Sequence, residues 1–225
     1  MIEILFLSII QGITEFLPIS SSSHLILISE YLNFEDKSLS VDVSLHIGSF
    51  LAVLVYFYKD LINFFENRIL FLKIIVSSLP TMIIGFFLVK SGIIDKIRNL
   101  ELIAWTTVIF GVLLFISDRF KIDNSIRNNF SFKAAIFIGL LQILSLIPGV
   151  SRSGIAITAA RLLNFKRVDA GKISFLISIP ILGAVSIFGI KNIIYSENLD
   201  FTYTNLLSIF ISFLFSLITI KYFLN

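Results

Sequence analysis

The residues with chemical capacity in this chain are gathered in two short polar knots set in apolar sequence. The first is EFLPISSSSHL, Glu15 to Leu25, which follows a strongly hydrophobic opening. Gln11 and Glu15 are four residues apart and share one helix face. A carboxylate at the centre of a lipid-facing helix costs about 2.5–3.5 kcal/mol on insertion scales, so Glu15 is expected to face a polar cavity. Pro18 disfavours helical geometry at Leu17 and helps to end the first helix. Ser20 to Ser23 then open a second one, where a serine at the N-cap accepts a bond from a backbone N–H. Capping accounts for at least two of the four serines. The other hydroxyls lie where a helix N-terminus presents free N–H groups, a natural phosphate site. Ser20, Ser21 and Ser22 are the candidates. His24 follows Ser20 by four residues and Ser21 by three, so a helical turn brings it within reach of either hydroxyl. A serine beside a histidine is the minimal activated nucleophile. His46, the only other histidine, lies in an apolar run without such neighbours and is read as structural.

The second knot is PGVSRSG, Pro148 to Gly154. Gly149 and Gly154 permit tight turns, and Ser151 and Ser153 flank Arg152. The guanidinium fork matches phosphate oxygens. Between two apolar segments it is costly without an anion. Snorkelling to the interface is the alternative, and a Pro/Gly/Ser turn suits that poorly. Facing knots would bring Glu15, a serine, His24 and Arg152 around one anionic group. The carboxylate suits proton transfer or a divalent cation. Oxygen ligands select Mg²⁺ or Ca²⁺. Glu15 and Gln11 are too few for a protein-only cage, so substrate phosphate and water must complete the shell. No GxxxxGK[ST] sequence is present, which removes the nucleotide P-loop from consideration.

The elements that must carry these knots are membrane helices. The chain of 225 residues is 56% hydrophobic and only 15% charged, with a mean hydropathy of +0.96. It reads as an all-α polytopic membrane protein. The net charge of +3 does not indicate nucleic acid. The basic residues sit in short segments between apolar runs, where they set topology and meet anionic membrane lipid. They occur in nearly every loop, so their count does not orient the chain. Cysteine is absent, which excludes disulfide and thiolate chemistry. The N-terminus lacks a basic n-region and a small-residue cleavage site, and reads as mature sequence.

Runs at Ile69 to Val89, Ile173 to Ile190 and Leu206 to Leu224 reach the roughly 17–25 residues that span a bilayer. Val43 to Tyr58 and Leu102 to Ser117 are marginal and borrow flanking residues. Ile4 to Ile19 and Ala134 to Ile147 each run into a proline and a serine-rich knot, then resume as a short apolar helix. Irregular backbone at membrane depth is tolerated only where protein or a water-filled cavity satisfies it. The economical reading is two re-entrant helix hairpins, and the alternative is two ordinary spans with polar loops in water, which hydropathy does not distinguish; an internal repeat favours the hairpins. LPISSSS at Leu17 to Ser23 resembles IPGVSRS at Ile147 to Ser153, and a Val-Asp pair follows each, at Val41-Asp42 and Val168-Asp169. Matching broken segments suggest a repeat with the site between its halves. The expected organisation is one integral membrane domain, 1–225, with pseudo-repeat halves of about 1–115 and 116–225.

At these residues the sequence resembles the bacterial undecaprenyl-diphosphate phosphatase family, also called the bacitracin resistance protein family. The resemblance rests on QGITEFLPISSSSHL, Gln11 to Leu25, and PGVSRSGIAIT, Pro148 to Thr158. VDVSLHIGSFLAVLVYF at Val41 to Phe57 and SFLISIPILGA at Ser174 to Ala184 support it. It implies an inverted repeat of transmembrane helices with two re-entrant hairpins, in the bacterial cytoplasmic membrane, with the site on the outer side. It implies removal of the terminal phosphate from the C55 polyprenyl diphosphate carrier, which recycles that lipid for cell-wall synthesis. By resemblance the acidic motif maps to Gln11 and Glu15, the proposed nucleophile to Ser21 with Ser20 adjacent, the histidine to His24, and the phosphate-binding arginine to Arg152. A water activated by a metal and attacking directly is the competing chemistry, and a homodimer is a possible assembly. Three positions depart from the family pattern. Ser23 stands where glycine is common, Ala156 where threonine is usual, and relatives continue past Asn225 into a further hydrophobic helix. A transporter of the same lipid carrier is the rival reading, since hairpins at the midplane are also a transporter design.

Overall fold

The computed structural model describes residues 2–32, 39–64, 66–93, 99–119, 124–195 and 203–225. Eleven α-helices are described: α1 (Ile2–Thr14), α2 (Ser21–Tyr31), α3 (Leu39–Tyr56), α4 (Tyr58–Asn63), α5 (Arg68–Ser91), α6 (Leu100–Ser117), α7 (Ile126–Asn129), α8 (Phe132–Gln142), α9 (Arg152–Leu162), α10 (Arg167–Tyr195) and α11 (Tyr203–Leu224). A 3₁₀ turn, Ile143–Leu146, extends α8. Short polar side chains start the helices. Ser20, Asn67, Asn99, Ser131 and Ser151 each accept a backbone N–H three residues on, so orphan donors at these N-termini are satisfied.

Among the described residues four helices are long and apolar enough to cross a membrane: α5, α6, α10 and α11. The three longest apolar runs all lie within members of this set, and the marginal Leu102 to Ser117 run forms most of α6. The other marginal run differs. α3 begins at Leu39, four residues before the apolar run, and stops at Tyr56, with α4 continuing after Phe57. The two runs that end in prolines are shorter still as helices. α1 stops at Thr14, four residues ahead of Pro18, and the chain turns through Glu15 to Ile19 before α2. α8 passes into its 3₁₀ turn and then the Pro148–Gly149 turn before α9. Each is thus a helix–turn–helix pair.

α10 is the central helix. Of its apolar window 56% is buried, against 17–22% for α5, α6 and α11. It packs against α3, α5 and α9. Phe175 on α10 meets the fully buried Phe16 edge to face, with ring centroids 5.3 Å apart, which pins the turn after α1 to the core. α11 lies along α1 and α3 through a seam of small residues. A Cβ on Gly48 would stand 2.4 Å from the carbonyl oxygen of Ile209, so only glycine admits that approach. Ser212 Oγ donates to the Leu45 carbonyl at 2.8 Å, and Ser216 Oγ to Ser49 Oγ at 3.0 Å. Among apolar neighbours, close packing and interhelical hydrogen bonds of this kind drive helix association.

A polar staple closes one end of the bundle. Arg161 is the largest fully buried side chain among the described residues. Its Nη1 donates to the Phe165 carbonyl at 2.9 Å, its Nη2 to the Asp118 carbonyl at 2.8 Å, and its Nε lies 2.9 Å from Asp118 Oδ1. Arg167 grips the same carboxylate, with Nη2 2.5 Å from Oδ2. Asp118, just beyond α6, therefore ties together the ends of α6 and α9 and the start of α10. The hydrogen bond from Arg167 holds its carboxyl below the ordinary value of 3.8; burial opposes this, and the charges of Arg161 and Arg167 add to the lowering. A depressed carboxylate stabilises the fold above its unfolded pKa and loses that contribution as pH falls through its folded one. Thermal melting in detergent is expected to show wild type losing stability below about pH 3.8. Asp118→Asn should be less stable at pH 7 and should lack that part of the acid dependence.

Candidate functional site

The two knots meet. Arg152 Nη2 donates to Glu15 Oε1, and Ser153 Oγ donates to the carbonyl of Leu17 at 2.6 Å. The contact joins residues 137 positions apart. Local structure aims each group. Ser20 caps α2 and takes a further bond from Ser23 Oγ at 2.8 Å. Ser151 caps α9, accepting from Gly154 N at 3.1 Å, and pairs with Ser153 Oγ at 3.0 Å. Two helix N-termini thereby open on one cavity of about 210 Å³, whose wall includes Glu15, Ser20, Ser21, Ser22, Ser151 and Arg152. Free N–H groups at a helix start favour anions, and here a guanidinium stands beside them.

Glu15 is buried, and its second oxygen is fully engaged. Oε2 accepts from Gln11 Nε2 at 2.9 Å and from Ser21 Oγ at 2.7 Å. Ser21 is thus hydrogen-bonded to a base, but the base is the carboxylate. The expected reach of His24 to a serine hydroxyl is not what the structure contains. His24 Nδ1 lies 2.7 Å from the backbone carbonyl of Ser20, because on a helix the i−4 carbonyl is nearer than the hydroxyl on the same residue. His24 does not line the cavity. Gly149 is likewise turned elsewhere. It has φ +94° and packs on α6, where a Cβ would stand 1.9 Å from Thr106 Oγ1. Thr106 Oγ1 donates to the Pro148 carbonyl at 2.7 Å and Thr107 Oγ1 to that of Gly149 at 3.3 Å. Gly149 supplies the turn that presents Ser151 and Arg152. Thr158, which follows the second knot, bonds back to the Gly154 carbonyl at 2.8 Å and is satisfied within its helix.

Three cavity residues escaped the sequence reading. His46, taken as structural, stands in the wall with Nδ1 3.2 Å from Gln11 Nε2 and 4.0 Å from Glu15 Oε2. Its neighbours come from across the fold, so no spacing reveals them. The available signal was an ionisable residue inside a long apolar run of marginal spanning length. Thr81 on α5 and Ser145 in the 3₁₀ turn also line the cavity. Helical hydroxyls in this chain commonly bond back to the i−4 carbonyl, as Ser8, Thr14, Ser44 and Thr219 do. Thr81 Oγ1 instead is buried and has no partner in the protein. Arg152 Nη1 and Gln11 Oε1 share that condition. Buried polar atoms are nearly always satisfied, so the unpartnered groups of Thr81 and Arg152 in the cavity wall, with that of Gln11 behind Glu15, mark what a ligand must supply.

For a divalent cation the fit is partial. Among the described residues no group of three His, Cys, Asp or Glu side chains could hold a metal. Gln11 Oε1 is an unpartnered buried oxygen, and Glu15 is the adjoining carboxylate. That set suits an ion held largely by phosphate and water, as Mg²⁺ commonly is, and not a resident cage.

Fold and cavity together define a polytopic all-helical membrane protein with an anion-suited site between two polar turns. The chain belongs to the bacitracin resistance protein BacA family, whose pattern it matches over residues 4–225. It is 48% identical over 225 residues to the undecaprenyl-diphosphatase of Pelagibacter ubique (strain HTCC1062), covering all of this chain and 88% of that protein. Identity is 46% over 189 residues with the undecaprenyl-diphosphatase of Saccharophagus degradans (strain 2-40 / ATCC 43961 / DSM 17024), covering 79% of this chain and 71% of the relative. With that of Jannaschia sp. (strain CCS1) it is 37% over 225 residues, covering 94% and 84%.

Two substitutions separate scaffold from ligand contact. Gly149→Ala should lower the melting temperature sharply, since the added methyl meets Thr106 at a φ that favours glycine. Thr81→Val removes an unpartnered buried hydroxyl, so melting should be unchanged or raised. Competition by pyrophosphate should weaken about tenfold in Thr81→Val, one lost hydrogen bond to a charged group being worth roughly 1.5–3 kcal/mol, and Thr81→Ser should restore it.

Proposed function

We propose that this protein is an undecaprenyl-diphosphatase, a membrane hydrolase that removes the terminal phosphate of undecaprenyl diphosphate. The undecaprenyl phosphate so formed returns to cell-wall synthesis, and its recycling confers resistance to bacitracin. The observation that carries the reading is the meeting of Glu15, Ser21 and Arg152 at one cavity, in a chain whose relatives bear that enzyme name. A transporter of the carrier is less well supported, because binding alone does not require a serine hydroxyl held against a carboxylate.

The two helix–turn–helix pairs are read as re-entrant hairpins of an inverted repeat in the bacterial cytoplasmic membrane, with the cavity toward the outer face. In support, α2 and α9 are both 11 residues long and both start on a serine cap. The diphosphate enters with its charge toward Arg152 and the N–H groups of the two helix starts. Arg152 Nη1 is free to donate to it. Ser21 Oγ attacks the terminal phosphorus as Glu15 takes its proton. The bond from that phosphorus to the bridging oxygen breaks, and the lipid phosphate leaves. Glu15 returns that proton to the departing lipid phosphate; water then attacks the phosphoserine as Glu15 takes its proton and passes it to Ser21 Oγ, which leaves as the free hydroxyl. Developing charge on the phosphoryl oxygens is met by Arg152 and backbone N–H groups that need no reorganisation. A bound Mg²⁺ or Ca²⁺ near Gln11 and Glu15 would neutralise diphosphate charge.

Phosphate release from a short prenyl diphosphate in detergent, with divalent cation, tests this. Wild type should turn over, and Glu15→Gln and Arg152→Ala should each lose about 10²–10³-fold in kcat. His24→Ala should lose less than either. Ser21→Ala with full activity would remove Ser21 as nucleophile. No release from folded wild type would sink the enzyme reading.

A further inference from the structure

His46 enters the cavity wall from α3, and the atoms around it fix its role. Gln11 Nε2 lies 2.9 Å from Glu15 Oε2 and 3.2 Å from His46 Nδ1. An amide nitrogen carries two hydrogens and accepts none. Only the NH₂ end of the amide suits a carboxylate, so one hydrogen goes to Glu15. The other faces His46, and Nδ1 must therefore accept, which assigns the ring proton to Nε2. With both hydrogens committed, the amide cannot turn over without losing two bonds. Its oxygen is held in one place, buried and without a protein partner. His24, the other histidine, is bonded to the Ser20 carbonyl and makes no such contact.

We propose that His46 is a positioning residue: by accepting from Gln11 it locks the amide, so that Gln11 Oε1 and Glu15 form a fixed pair of oxygens for a divalent cation held with the diphosphate. The choice of ligand rests on the phosphatase reading, whereas the amide lock does not. Without an acceptor at this place the second N–H is unpaired and the amide rotates, offering its NH₂ where a cation needs oxygen.

The test compares His46→Asn, whose side-chain oxygen stands near the place of Nδ1, with His46→Leu, which fills the space and accepts nothing. Melting temperature is followed while Mg²⁺ is titrated in the presence of methylenediphosphonate, a diphosphate that is not cleaved. In His46→Leu the half-saturating Mg²⁺ concentration should rise at least tenfold over wild type, and in His46→Asn it should stay within about threefold. In turnover, His46→Leu should lose about 10–100-fold in kcat with KM within threefold, and His46→Asn should recover most of the loss. Should His46→Leu fail to fold, His46→Ala makes the same comparison. The proposal is overturned by a non-accepting variant that matches wild type, by His46→Asn doing no better than it, or by wild-type melting that ignores Mg²⁺. Wild type that binds Mg²⁺ and diphosphate as stated yet releases no phosphate would defeat the phosphatase reading alone, because melting requires no turnover.

Discussion

The ion pair between Glu15 and Arg152 is the constraint on which the rest of the molecule depends. In surroundings this apolar neither charge is tolerable alone, and a buried pair adds little stability beyond what its desolvation costs. Removing one partner is far worse than keeping both. The pair therefore makes the two polar turns inseparable without making the fold notably stable. A phosphorylated ligand changes that balance, since it brings negative charge to a guanidinium with one nitrogen still free.

The helices around the pair serve to keep both turns in register. Phe16 against Phe175 fixes the turn after α1 to the central helix. Thr106 and Thr107 on α6 clamp the turn before α9 through its carbonyls. The seam of Gly48, Ser212 and Ser216 draws α11 onto α3, and α3 carries His46. Apart from that aromatic contact, support for the charged centre comes from backbone contacts and small side chains, which have few alternative rotamers. Larger apolar side chains, such as Trp105 and Phe115 on α6 and Phe86 on α5, are exposed toward the space lipid would fill.

Much of this was legible in the sequence because membrane chains obey strict rules. Apolar runs marked α5, α6, α10 and α11, and prolines preceding serine-rich segments marked the two turns. The likeness of LPISSSS to IPGVSRS pointed to their meeting. Spacing failed where a contact is chosen by competition. His24 had a hydroxyl and a carbonyl within one helical turn, and the carbonyl was closer. Gly149 belonged to the right motif, but its φ and its docking on α6 depend on a helix more than 40 residues away. His46 and Thr81 are polar singletons on helices that carry no motif, and only packing brings them to Glu15 and Arg152.

A pair separated by 137 residues also has a history during synthesis. At roughly 5–20 residues per second, Glu15 is added to the chain some 7–27 s before Arg152. Throughout that interval the turn after α1 carries a carboxylate without its Arg152 partner. It must wait near water and headgroups, or shielded by other protein, until that partner is made. The N-terminal turn therefore cannot reach its paired state until Arg152 is made, although its residues are among the first to be made.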